Sequence, residues 1–505
     1  MEKKKGIKNI LWGVLSQVLT IGVGLIIPRL VLTNLGSEAN GLLSSIGNIL
    51  TYMSLLEAGV GVASVQALYK PIAEKNSEKI NQIISATNYY YRKTGRIYLL
   101  FILLLSAGYT LLVKTEIPKL YVLLIILMSG VSGVLNYYFQ GKYKVILSAE
   151  GKNYVTTNIT TILGITTSLV KAAVLIAGGN VVAVQSIYFV VNLIQMLVFV
   201  LYMKKHYAWI NYHDTPDLDA ISQKNAVLVH QISGIVFTNT DVLVLTVLTT
   251  LKQVSVYSMY AMIFGMVKAI VTVFTESFVY ALGQSFHNKP RFFRIFDAYE
   301  TYCLAISGAL FCLLNVLILP FLRLYTAGVT DANYLDPYLP WLFTTFYLMH
   351  HGRAPSAHVI NIAQKFEATK WRSILESVIN VTSSVILTYF FGIYGVLFGT
   401  IIALLYRTND IIIYSSKIMQ RSPLITYRRW LTNVVLLFAI SIICSKLPIH
   451  ADTYPKLILY GVMLCVTVIP AFFAVNSIFE PKVAKYVFGV VKRMVSEKLK
   501  RREKT

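Results

Sequence analysis

Apolar runs of about 20 residues recur along the whole chain, and each is long enough to cross a bilayer as a helix. No other feature constrains the fold as strongly. In hydrocarbon every backbone N–H and C=O must find its partner inside the protein, so a chain built of such runs folds as a helical bundle. The chain is 56% hydrophobic and 14% charged over 505 residues, against about 25% charged in a typical soluble domain. The expected class is all-α, a polytopic membrane protein. Dividing length by a typical domain size does not apply to such a bundle. The first residues, MEKKKGIKNILWGVLSQVLTIGVGLIIPRL, carry the charge pattern of a signal peptide. The apolar part is too long for one and no small-residue cleavage site follows, so it reads as an uncleaved first helix. Cys303, Cys312, Cys444 and Cys465 all fall in apolar segments without metal or redox spacing and read as small hydrophobes.

Fourteen spans are expected: 9–33, 41–67, 97–113, 120–140, 154–177, 181–203, 226–250, 254–284, 298–323, 338–363, 373–391, 394–416, 430–447 and 457–479. With the N-terminus cytoplasmic, the inner segments hold 35 of the 46 Lys and Arg residues, and the outer loops and outer helix ends hold 6. That asymmetry predicts both termini inside. It also accounts for most of the +23 net charge, so nucleic-acid binding is excluded. The tail 481–505 places Val483, Val487, Val491 and Met494 on one helical face among nine basic residues, which predicts a helix on the anionic inner leaflet.

The connection 204–224 divides twelve spans into six and six. A faint repeat agrees: Glu57 and Glu276 each precede a proline, Pro71 or Pro290, by 14 residues. Two parallel six-span repeats imply a transporter that binds substrate between its halves and rocks them. The expected organisation is an N-terminal lobe over 1–210, a C-terminal lobe over 211–425, two further spans over 426–480, and the tail 481–505.

Charges inside the spans are the candidate functional residues, because each costs at least about 2.5–3.5 kcal/mol at mid-bilayer unless it faces water or a partner. The basic ones are Arg29, Lys171, Lys268, Arg353 and Arg407; the acidic ones are Glu57, Asp241, Glu276, Glu376 and Asp410. Arg407 and Asp410 share a helix face and can pair. Glu376 lies one turn from the cytoplasmic end, where snorkelling or capping is expected, and Lys171 lies close enough to the outer end to snorkel. Asp241 shares a face with Gln231 and Thr238, and Glu57 one with Ser54, Gly61 and Ser64, whose small residues permit close helix approach. Glu276 is expected to pair with a nearby Lys or Arg. Lys268 and Arg353 have no acid on their own helices; with Arg29 they are the residues best suited to an anion. His350, His351 and His358 surround Arg353 in HHGRAPSAH but do not share a face, and no metal pattern is present. His230 reads as an interior hydrogen-bonded histidine. Gly352 and Pro355 predict a broken or kinked tenth helix, and such breaks mark substrate cavities in transporters. Arg353 then either holds an anion bidentately or is neutralised by Glu57, Asp241 or Glu276.

No GxxxxGK[ST] occurs, so no P-loop hydrolyses ATP here. The major-facilitator loop pattern, a large outer loop with acids or histidines, and channel-type filter loops are also missing.

Four stretches resemble the oligosaccharide flippases of the multidrug/oligosaccharidyl-lipid/polysaccharide superfamily. They are PRLVLTNLGSEANGLLSSI, LLEAGVGVASVQALYKPIAEKNSEKINQI, NTDVLVLTVLTTLKQVSVYSMYAMI and, most closely, HGRAPSAHVINIAQKFEATKWRSILESVINVTSSVILTYFFGIYGVLFGTII. The resemblance covers residues 1–425. It implies two six-helix lobes with two further helices, a bacterial cytoplasmic membrane, and no enzymatic activity or cofactor. It also implies translocation of undecaprenyl-diphosphate-linked repeat units for lipopolysaccharide or capsule. In that reading Arg353, Arg29, Lys268, Arg407 and Lys171 meet the substrate. Glu57, Asp241, Glu276 and Asp410 act as counter-ions or couple transport to H⁺ or Na⁺. Drug/cation antiporters and lipid II flippases of the same superfamily are alternatives, as is an enzyme acting on polyprenyl-linked sugars.

Overall fold

The computed structural model describes residues 12, 19–20, 22–53, 55–212, 214–221, 239–286, 288–445 and 451–502; the side chains of 55–58, 366–367, 491, 494–495 and 497–502 lie outside that description. The described residues are helices joined by short connections. Ten of the helices are long and apolar enough to cross a membrane. Many of their large side chains face outward, among them Leu112, Leu169, Tyr389 and Val466. An exterior this apolar belongs in lipid, and the protein is a multi-pass membrane protein.

The chain forms two compact units, Met1–Ser258 with Gly328–Ala332, and Met259–Ala327 with Asn333–Thr505. The first holds α1 (Ile26–Met53), α2 (Leu55–Glu74), α3 (Ser77–Leu112), α4 (Lys119–Ala149), α5 (Asn153–Ile176), α6 (Val181–His206), α7 (Asn239–Leu248) and the start of α8 (Leu251–Ser285). α1 is two helices joined at Gly36, whose φ of 84° is open to glycine and costly for other residues. The second segment starts at Ser37, whose N–H and hydroxyl donate to Asp331 at 2.8 and 2.6 Å. A carboxylate at a helix N-terminus satisfies free donors and complements the dipole. The first unit also binds down the connection after α6. Ser85 donates to the Asp214 carbonyl (2.6 Å), Lys79 pairs with Asp217 (2.6 Å), and Ile221 is fully buried.

The second unit holds the rest of α8, α9 (Lys289–Tyr325), α10 (Leu339–Gly352), α11 (Ala354–Ile362), α12 (Phe366–Phe391), α13 (Ile393–Met419), α14 (Leu424–Ser445), α15 (Tyr454–Phe479) and α16 (Pro481–Arg502). α9 is its most buried long helix and packs on α10, α14 and α15. α12 and α13 form the closest pair, because Gly395 and Gly399 let the α12 backbone come where a Cβ would stand. The Asn380 amide donates to Thr400 across that seam (2.9 Å), and paired Asn433 and Asn476 amides join α14 to α15.

Several expected boundaries are corrected. Span 338–363 breaks at Arg353, while 9–33, 41–67 and 226–250 each include residues outside the description. The connection expected between spans 41–67 and 97–113 is mostly helix: α3 begins at Ser77, capped by the Asn76 side chain on the Lys79 N–H, and runs 36 residues. Hydropathy marks the lipid-facing part of a helix and not the polar turns that extend beyond it. α4 likewise continues to Ala149 through a π segment at Asn136–Gln140. Pro71 sits inside α2 while Pro290 opens α9, so these two prolines do different local work.

Candidate functional site

The break in the second unit follows from its sequence. The ring of Pro355 meets the carbonyl of His351 four residues earlier and cannot donate to it. α10 therefore ends at Gly352, and α11 starts at Ala354 with its proline in the first turn. Gly352 lies against Trp430 and Leu304, where a side chain would not fit. Arg353 is left at the junction with φ −78° and ψ −10°.

From there Arg353 reaches α12. Its Nη1 donates to Glu376 Oε1 at 2.7 Å. The other oxygen of Glu376 lies 3.4 Å from Arg407 Nε, Arg407 Nη1 is 2.5 Å from Asp410, and Asp410 is 2.6 Å from Arg372 Nη1. Arg407 also donates to Ser373 (2.9 Å), and Arg372 lies 4.6 Å over the Tyr414 ring. The side chains of Arg353, Glu376 and Arg407 are 12%, 9% and 8% exposed, too little for water to screen them. The network joins three guanidiniums to two carboxylates among the described side chains. Lys268, half-buried on α8, adds to it: His350 sits in the field of both Lys268 and Arg353, and no carboxylate pairs with Lys268 among the described residues. His350 and His351 are 3.4 Å apart, with His351 stacked on Tyr347. A preformed, arginine-rich network at a broken helix is suited to holding an anion.

The expected pairing of Arg407 with Asp410 is present. Glu376 is the main correction: it neither snorkels nor caps, but is buried between Arg353 and Arg407. Among the described side chains Glu376 is paired with Arg353. Glu276 is mostly exposed and meets His358 (3.6 Å) where Lys or Arg was expected; His358 also meets the Tyr299 hydroxyl (3.0 Å). In the first unit Asp241 is 3% exposed and accepts from Tyr257 at 2.6 Å. Lys171 lies 5.1 Å over the Tyr188 ring, and Arg29 is half-buried in α1. The side chain of Glu57, and Gln231, Thr238 and His230, lie outside the described residues.

Two clusters escaped the sequence reading. Lys142 and Lys144, counted as loop charges, lie on α4. Lys142 is 8% exposed, 3.1 Å from Asn88 Oδ1 and 4.7 Å over the Tyr212 ring; Lys144 is 2.6 Å from Asn136 Oδ1. In the second unit Asp297 and Glu300 of α9 hold Arg421 and Arg429, and Arg428 and Arg429 hold Glu480 at the head of α16. Burial favours a protonated Glu480, but the hydrogen bonds and charges of Arg429 and Arg428 outweigh it and keep the carboxyl below its ordinary 4.5. An acid pair three residues apart in the first turns of an otherwise apolar helix was the available signal.

No protein-family model matches this chain, and no curated protein sequence does. Solved structures are similar in fold. A lipid II flippase MurJ in an inward closed conformation is 14% identical over 94% of this chain and 100% of its own, with a TM-score of 0.70. An inward-facing multidrug resistance MATE-family transporter is 13% identical over 80% of this chain and 94% of its own, with a TM-score of 0.65. The MATE multidrug transporter DinF-BH in complex with R6G is 14% identical over 82% of this chain and 97% of its own, with a TM-score of 0.55. The chain has the helical fold of these transporters and flippases of the MOP superfamily.

Proposed function

We propose that this protein is a flippase that moves undecaprenyl-diphosphate-linked oligosaccharide repeat units outward across the bacterial cytoplasmic membrane, by alternating access, for lipopolysaccharide or capsule. The observation that carries this reading is the buried cluster of three guanidiniums in the Arg353–Glu376–Arg407–Asp410–Arg372 network at the break between α10 and α11. Bidentate guanidinium suits a diphosphate, and Arg stays charged in any local dielectric. The fold it shares with MurJ and MATE structures supports a transporter over an enzyme. The Lys/Arg distribution supports an orientation with both termini cytoplasmic. Arg29 and Lys171 in the first unit are assigned to the substrate with Arg353, Lys268 and Arg407. Glu57, Asp241, Glu276 and Asp410 are assigned to counter-ion or coupling roles, with H⁺ or Na⁺ as the coupling ion.

A lipid II substrate is the second reading, favoured by one observation: the MurJ structure matches 94% of this chain, beyond the reach of the MATE structures. Deleting the gene and identifying the lipid-linked intermediate that accumulates on the inner leaflet separates the two. A surface-polysaccharide repeat unit is expected, and restored export on complementation. Accumulated lipid II favours the second reading; no accumulated polyprenyl-linked sugar overturns both.

A further inference from the structure

The apolar face of the tail helix does not simply lie on a membrane. Val483 is buried, and α16 packs on α9 and α15. Tyr486, Val487 and Val490 instead roof a cavity of about 510 Å³ in the second unit. Its floor and walls include Phe278 of α8, Ala298 and Ile306 of α9, and Phe473 of α15. The tyrosine hydroxyls and the Cys303 thiol are the polar side-chain groups of an otherwise apolar lining, and the Tyr302 hydroxyl is 3.0 Å from Ser477 Oγ. Packed interiors carry few voids larger than a water molecule. A space of this size, lined this way, in a protein surrounded by lipid is suited to a hydrocarbon chain.

The head of α16 is fixed by Glu480, held by Arg428 and Arg429 at 2.5 and 3.1 Å. That sets which residues border the cavity. At 100° per residue, Lys482 (four before Tyr486) and Arg493 (seven after it) stand on the same edge of the helix as Tyr486. Both are exposed. Two cations thus border an apolar slot, the complement of an anionic headgroup above an acyl chain.

We propose that this slot binds an anionic phospholipid of the leaflet at which α16 lies, with one acyl chain between α8, α9, α15 and α16 and the phosphate drawn to this basic edge by Lys482 or Arg493, which stand about 16 Å apart along the helix. This is a resident lipid site, independent of which substrate the transporter moves. Native mass spectrometry of the full chain, purified in mild detergent and reconstituted with phosphatidylglycerol and phosphatidylethanolamine, tests it. The wild-type protein should retain one phosphatidylglycerol. Ala298→Phe, which fills the slot from α9, should release it. Should that variant misfold, Val490→Phe fills the slot from the more tolerant helix α16. Lys482→Gln with Arg493→Gln should keep a lipid but lower the preference for phosphatidylglycerol about tenfold. Equal retention in the filled and wild-type proteins, no retained lipid, or a retained polyprenyl lipid in place of phospholipid each overturns the proposal.

Discussion

Removing the Arg353 guanidinium leaves Glu376 with Arg407 as its partner, so the carboxylate is not stranded. Stranding a buried charge costs about 3–5 kcal/mol; Arg353→Ala avoids that, and the protein should accumulate in the membrane. The network loses one guanidinium, and losing one charge-assisted contact worth about 1.5–3 kcal/mol should lower polysaccharide export roughly ten- to a hundredfold. Arg353→Lys keeps the charge without the planar fork and should recover little. Normal export by Arg353→Ala at equal protein level would falsify the binding role. Loss of the protein, regained in Arg353→Ala/Glu376→Gln, would make the pair purely structural. At this scale the sequence was legible for short separations: Arg407 and Asp410 are three residues apart on one helix. It was illegible where the partner is on another helix. Glu376 is 23 residues from Arg353, and only the close approach of α12 and α13 at Gly395 and Gly399 brings Glu376 to Arg407.

Helices whose ends coincide with the membrane edge were readable from hydropathy alone. The expected 154–177, 181–203, 394–416 and 457–479 compare with Asn153–Ile176, Val181–His206, Ile393–Met419 and Tyr454–Phe479. The break at Arg353 was readable too, because Gly and Pro act locally. Helices that outrun the apolar zone were not: α3 and α9 are 36 and 37 residues long and begin in polar sequence behind Asn76 and Asn288. The start of α3 gives a test of orientation. Ser77 is exposed in its first turn, and Asp452 is exposed in the connection before α15. In a background without the native cysteines, an impermeant thiol reagent added to intact cells should label Asp452→Cys and spare Ser77→Cys. The reverse pattern would invert the orientation and place the Lys/Arg-rich segments outside.

Over the whole molecule, the all-helical membrane fold was legible because long apolar runs are written in hydropathy, and the quoted glycine-rich stretches added the superfamily resemblance. The substrate was not, because any substrate is recognised by groups that fold together from distant helices. The energy source can be argued at this scale. No P-loop motif is present, so ATP hydrolysis of that type does not drive the cycle. A diphosphate-linked lipid moving outward leaves an interior negative relative to the exterior, and the membrane potential assists that movement. The gain is up to about 2.3 kcal/mol per elementary charge per 100 mV if the charge crosses uncompensated. Arg353, Arg372, Arg407 and Lys268 set the limit on that gain. If the cations move with the substrate through the field, they cancel its charge; if they stay with the frame, the substrate feels the full potential. Collapsing the potential with valinomycin and K⁺ in proteoliposomes should therefore slow net flipping of a diphosphate-linked oligosaccharide. Slowing by valinomycin and K⁺ but not by a matched collapse of the pH gradient makes the potential the driving force. Rates unchanged by the potential but lowered by removing a H⁺ or Na⁺ gradient would instead show that protein cations compensate the substrate charge, and would move the coupling to the acids proposed for it, of which Asp241 is more buried than Glu276 and Asp410.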